Sequence, residues 1–132
     1  MTAEDRKNLV AHRMARAKES VAEAVLLYEN EKYNAAVNRL YYACYYALAA
    51  LLFQNDMETK THAGARQMLG LHFAKTNRLE GNLAKFYSQI FDARQIADYD
   101  DFTTFEKEEI GLWIENANAF TGAVQVLLET DG

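Results

Sequence analysis

Over residues 3–28, small or apolar side chains recur at Val10, Met14, Ala17, Val21, Ala24 and Tyr28, the three-to-four spacing of one helix face. The five acids and five bases of the first thirty residues fall mostly between them, which leaves the opposite face wet. From Asn34 to Phe53 the pattern changes, and apart from Asn34, Asn38 and Arg39 every residue is apolar or aromatic. A helix apolar nearly all round needs neighbours on several sides, so this stretch is predicted to be the central helix of a bundle. The connector at residues 30–32 is long enough only for an antiparallel return.

Beyond Phe53 the run breaks at QNDMETKTH, where Asn55 and Asp56 suit a helix exit and Thr59 or Thr61 a new N-cap. A third helix is predicted from Thr61 to about Thr76, carrying Ala65, Met68, Leu69, His72 and Phe73 at helical spacing. After a turn at Asn77 to Gly81, a fourth helix presents Leu83, Phe86, Tyr87, Ile90, Phe91 and Arg94 along one stripe. It ends in Asp98 to Thr104, whose acids and threonines favour turns and caps. The last helix carries a heptad seam at Ile110, Trp113, Ala117, Phe120, Val124 and Leu127. Under three repeats suits a core-facing helix better than an intermolecular zipper. The expected fold is all-α, a single domain over residues 1–132 in a five-helix, mostly antiparallel up-and-down bundle.

Composition agrees with that expectation, since the 132 residues contain no proline and only six scattered glycines. The single cysteine, Cys44, sits inside the apolar helix and reads as a buried structural thiol. It points, weakly, to a reducing compartment. The Tyr41 to Phe53 run is 13 residues, short of the roughly 20 that span a bilayer. The N-terminus begins with charged residues, so no signal peptide is visible. A cytoplasmic protein without membrane contact is expected. A net charge of −5 argues against a general DNA-coating surface, because phosphate binding needs a positive field. Charge is uneven, however. Thr59 to Leu79 holds Lys60, Arg66, Lys75 and Arg78 with no acid, whereas Asp98 to Glu109 holds six acids and only Lys107. A local anion site in the basic stretch is compatible with this division, and so are ordinary solvated helix faces.

Several chemistries fail on spacing. His62 and His72 are ten apart, His12 is remote, and Cys44 has no partner cysteine, so no metal site is expected. No glycine-rich phosphate loop is present, and Ser20 and Ser88 lack nucleophile elbows. No cofactor is expected. What remains is polar groups beside aromatic ones. In the central helix, Tyr41/Tyr45 and Tyr42/Tyr46 are four apart and form two adjacent strips; with Arg39 they line either an aromatic core or a polar site or second subunit. Lys60, Thr61 and His62 open the third helix. Arg94, Gln95 and Tyr99 close the fourth, where Arg94 and Asp98 form an i,i+4 pair. An arginine fork in a cleft can hold a phosphate instead.

The segments NRLYYACYYALAALL, KTHAGARQMLGLHFAKTNRL and ARQIADYD, in that order, resemble HEPN-domain proteins, helical bundles named for nucleotide binding in higher eukaryotes and prokaryotes. The resemblance runs along the whole chain. It implies an antiparallel bundle, homodimerisation, and pairing with a minimal nucleotidyltransferase in toxin-antitoxin or defence modules, with a nucleotide or RNA as ligand. Many members are metal-independent endoribonucleases built on an arginine, a following polar residue, and a histidine four to six residues beyond. Here Arg94 and Gln95 match the first two, but the histidine positions hold Tyr99, Asp100 and Asp101.

Histidine, with a pKa near ~6.5, can accept a ribose hydroxyl proton at neutral pH, whereas tyrosine near ~10 stays protonated. Arg-x-x-Ala-Asp-Tyr is the pattern of the branch this chain is most similar to, and binding is therefore expected before catalysis. Arg94, Gln95, Tyr99, Lys60, Arg39 and Tyr42 are the binding candidates; Arg94, Tyr99 and His62 are the catalytic ones. His62 can replace the missing histidine only if folding brings it beside Arg94. Tyr99 is in addition a candidate acceptor of nucleotide transfer, since related modules modify a tyrosine near this motif. The remaining alternative is a bundle that only mediates protein association.

Overall fold

The computed structural model describes residues 1–100 and 102–131; Asp101, one of the three positions expected for the motif histidine, lies outside the described residues. The helices are α1 (Ala3–Glu29), α2 (Tyr33–Gln54), α3 (His62–Leu69), α4 (Gly81–Tyr99) and α5 (Lys107–Asp131). The fold is all-α, as expected. Thr2 opens α1 with a capping box: its hydroxyl accepts from the Asp5 amide while the Asp5 carboxylate accepts from the Thr2 amide. These bonds hold the Asp5 carboxyl below its usual pKa. The α1–α2 turn needs one left-handed residue, Glu31 at φ 60°, and α2 exits through Asp56 at φ 58°, beside the Asn55 suggested by sequence.

Thr61, not Thr59, caps α3, accepting from the Gly64 amide at 2.9 Å. The third helix is shorter in α geometry than expected. From Gly70 to Ala74 it widens into a π turn, closed by the Lys75 amide on the Gly70 carbonyl at 2.9 Å. Glycine is the least favourable non-proline residue for a helix interior, and the wider turn begins there.

α2 is enclosed as predicted. Ala36, Val37, Leu40, Tyr41, Ala43, Cys44, Ala47, Leu48, Ala50 and Leu51 are all wholly buried, with α1, α4 and α5 packed around them. Toward α1 the contact is small on small, with Ala17, Ser20 and Ala24 buried on that helix. On α5 the seam Ile110, Trp113, Ala117, Phe120 and Val124 is buried, but its last position is Leu128 rather than Leu127. That drift reflects 3.6 residues per turn in an unsupercoiled helix. Among the described residues no helix is long and apolar enough to cross a membrane.

Candidate functional site

The tyrosines of α2 form the floor of the site. Tyr41 and Tyr45 stack with ring centroids 6.0 Å apart and planes at 22°, and Tyr42 lies 6.0 Å from Tyr46. Both follow from the i,i+4 spacing read in the sequence. Tyr41 is wholly buried and the other three are half-buried. Polar groups from three helices meet over this floor.

From α4, the Arg94 guanidinium lies over the Tyr41 ring at 4.8 Å and the Tyr42 ring at 5.7 Å, a cation on the electron-rich face of an aromatic. Its Nη1 donates to Asp98 Oδ2 at 3.3 Å, the expected i,i+4 pair. Among the described residues its Nε is buried without a hydrogen-bond partner, and only 14% of the side chain is exposed. Asp98 also accepts from Asn38 Nδ2 at 3.1 Å. Asn38 Oδ1 in turn accepts from Arg39 Nη2 at 3.0 Å, and Arg39 covers Tyr42 at 5.2 Å. Arg39 also faces Glu23 of α1 at 3.7 Å. The chain Arg39–Asn38–Asp98–Arg94 therefore joins α2 to α4 above Tyr41 and Tyr42.

From the start of α3 comes His62. Its ring stacks on Tyr45, centroids 4.3 Å apart and planes at 18°, and its Nδ1 is hydrogen-bonded to the Tyr41 hydroxyl. Two features fix its position: the Thr61 cap, and Arg66 one turn on, which covers Phe91 at 4.1 Å and reaches Asp92 at 3.4 Å. Partial burial, and then the positive charge of Arg94, push the His62 pKa below its ordinary value. The imidazole is therefore neutral at pH 7. Burial pushes the Tyr41 hydroxyl up to about 12, so it keeps its proton and can donate it to Nδ1. The tautomer that accepts there carries its own proton on Nε2. The Tyr87 hydroxyl lies close enough to that of Tyr41 for the two to shift each other's proton affinity, but among the described residues it has no partner with full hydrogen-bond geometry.

Of the residues singled out by sequence, the fold gathers Arg94, His62, Arg39 and Tyr42 on this floor. Gln95, Tyr99 and Lys60 are exposed, Tyr99 at 81%, and no contact joins them to the floor among the described residues. Tyr41, Asn38 and Asp98 belong to the site as well. So does Arg16, which lies over Tyr46 at 4.8 Å and donates to its hydroxyl at 3.1 Å. The sequence flagged Asn38 and the tyrosines as the few polar atoms of α2, but nothing local marked Arg16 among the charges of α1. No group of three or more histidine, cysteine, aspartate or glutamate side chains that could hold a metal ion occurs among the described residues.

The HEPN domain family matches residues 10–127. A Thermotoga maritima protein named as a UPF0332 protein is 34% identical over 95% of this chain and 95% of its own length. Two Methanocaldococcus jannaschii proteins carry the name "Putative toxin": one is 33% identical over 80% of this chain and 71% of its own length, the other 31% over 86% and 84%. With a family match across most of the chain, and a fold that agrees with it, the chain belongs to the HEPN domain family.

Proposed function

We propose that this chain is a binding module for the phosphate groups of a nucleotide or RNA, acting in a toxin-antitoxin or defence pair with a minimal nucleotidyltransferase. The observation that carries this reading is the placement of Arg94 and His62 on either side of Tyr41. Among the described residues the guanidinium is hydrogen-bonded only through Nη1, to Asp98, and the neutral imidazole offers an Nε2–H. Both are donors, and donors suit phosphate oxygens. The half-buried tyrosines with Arg16 and Arg39 offer flat faces on which bases stack. The names of the Methanocaldococcus relatives accord with a toxin-type role. Homodimerisation is part of the proposal, as the HEPN resemblance implies.

Titration of labelled single-stranded RNA and of ATP tests the site. Arg94→Ala and His62→Ala should each weaken binding about tenfold or more; unchanged affinity, or no saturable binding by the parent protein, overturns the proposal. A minimal nucleotidyltransferase should be encoded beside it and form a stable complex on co-expression; a neighbour of another kind, or no complex, removes that partner.

One observation favours a second reading, a metal-independent endoribonuclease. His62 and Arg94 both sit on Tyr41, close enough for the Arg94 charge to act on His62, where the chain lacks a histidine along the motif. To act as a base it must free Nε2, which requires the Tyr41 hydroxyl to turn so that Nδ1 carries the proton. That cost is why binding ranks first. RNA incubated with chelator should be cut by the parent and not by Arg94→Ala or His62→Ala; equal cutting, or none, removes the nuclease. Tyr99, 81% exposed, is reachable by a partner enzyme. Its hydroxyl oxygen would attack the α-phosphate of a nucleoside triphosphate and release pyrophosphate, a mass change visible after co-expression and absent in Tyr99→Phe.

A further inference from the structure

In the first half of α1, Lys7, Ala11, Ala15 and Lys18 recur at intervals of four, four and three, so they share one face of the helix. That face is not the one the bundle buries, because all four are exposed. Lys7 and Lys18 stand about three turns apart, roughly 17 Å at ~1.5 Å per residue.

The face forms one wall of a groove of about 730 Å³ between α1 and the ends of α2 and α5. Val10, Met14, Phe53 and Leu128 supply its apolar floor, and none of its lining residues belongs to the Arg94 site. Met14 gives that floor a side chain that adapts to what enters. Arg6 also lines the groove, but its guanidinium is held by Asp56 at 2.6 Å and by the Phe53 carbonyl at 3.1 Å. On the α5 side, Glu129 accepts from Gln125 at 3.0 Å. Among the described residues no ion pair holds Lys7 or Lys18. The α1 edge is therefore positive and has no anion of its own.

Shape and charge together select the occupant. A small molecule is usually enclosed over most of its surface, whereas this wall is exposed along its length. Ala11 and Ala15 keep the wall low, so a second helix axis can come close. A slot three turns long, apolar at the bottom and charged at the rim, suits an amphipathic helix laid along it. A second copy of this chain has no such helix to offer. Among the described residues no helix exposes more than two large apolar side chains, since each turns its stripe to its own core.

We propose that the groove is a docking site for an acidic amphipathic helix of a different protein, its apolar side chains on the Val10–Met14–Phe53–Leu128 floor and its carboxylates against Lys7 and Lys18. The contact uses neither Arg94 nor His62, so it stands or falls independently of the phosphate site.

Fluorescence anisotropy tests it with two labelled, stapled helices of ~14 residues. Both carry leucine at i, i+4, i+7 and i+11; one has glutamate on both flanks and the other lysine. The parent protein should bind the glutamate helix saturably, about tenfold or more tighter than the lysine helix, and less tightly as salt rises. Lys7→Glu/Lys18→Glu should invert that preference. Ala15→Trp changes an exposed position, fills the slot and should abolish binding of both helices, with the circular dichroism and melting temperature of the parent retained. Arg94→Ala should bind as the parent does. Binding of neither helix, equal binding of the two, or indifference to Ala15→Trp overturns the proposal. So does saturable binding of dodecanoate where neither helix binds, which would make the groove an amphiphile site. Groove variants that alter only the protein's own sedimentation would give it to a second copy and overturn the proposal equally.

Discussion

The Tyr41 hydroxyl is hydrogen-bonded to His62 Nδ1, tying the first residue of α3 to the middle of α2. That bond decides which nitrogen of the histidine faces the site. Tyr41→Phe keeps the buried ring and removes only the donor, at a cost of about 1 kcal/mol in urea unfolding. Nitrogen-15 shifts of the His62 ring should report the Nε2–H tautomer in the parent and a mixture in the variant. A pure Nδ1–H tautomer in the parent would reverse the assignment and favour the nuclease.

The His62 pKa lies below its ordinary value in the folded chain. As pH falls below about 6.5, the unfolded histidine takes up its proton before the folded one does, so this group costs stability toward acid and costs none above that pH. Proton NMR should place the His62 midpoint below the ordinary histidine value. Arg94→Met should move it back upward, because one of the two causes is the Arg94 charge.

Tyr87 has the opposite status to Tyr41. Its ring is fully buried and, among the described residues, its hydroxyl has no hydrogen-bond partner. Removing an unsatisfied buried polar group relieves a desolvation cost, so Tyr87→Phe should be neutral or stabilising by up to about 1–2 kcal/mol. A loss of the same size would mean that the hydroxyl is satisfied in solution, by water or by Tyr41.

At the start of α3 there is no room for a methyl group on Gly64. A Cβ there would meet Thr61 Oγ1 at 2.8 Å and Thr59 Cβ at 3.3 Å, displacing the hydroxyl that caps the helix. Gly64→Ala should therefore destabilise in spite of alanine's helix propensity, and Thr61→Ala should cost about 1 kcal/mol. Because His62 follows the cap directly, both should broaden its NMR signals.

Cys44 is wholly buried among the alanines of α2, and burial pushes its thiol far above the ordinary value. It should ignore a thiol reagent in buffer and react fully in denaturant. Rapid labelling of the native protein would show that α2 is less enclosed than its surroundings indicate.

The helices were legible because each carries a periodic apolar stripe, and the stacked pairs Tyr41/Tyr45 and Tyr42/Tyr46 and the Arg94–Asp98 pair follow from four-residue spacing alone. The juxtaposition of His62 with Arg94 was not. The two are 32 positions apart, and what unites them is the packing of a short helix against α2 and α4 through Arg66, Phe91 and Asp92, for which no local pattern exists. For the same reason Arg16 looked like any other surface charge. The step from Leu127 to Leu128 at the end of α5 was hidden by the near-equality of 3.5 and 3.6, which separates only after three repeats.

Enclosure of α2 on nearly every side has a kinetic corollary. Its amides have no route to solvent through local fraying, so their deuterium uptake should wait on global opening and should run in step with it as denaturant is added. The rings that floor the site are thereby rooted in the most slowly exchanging part of the molecule.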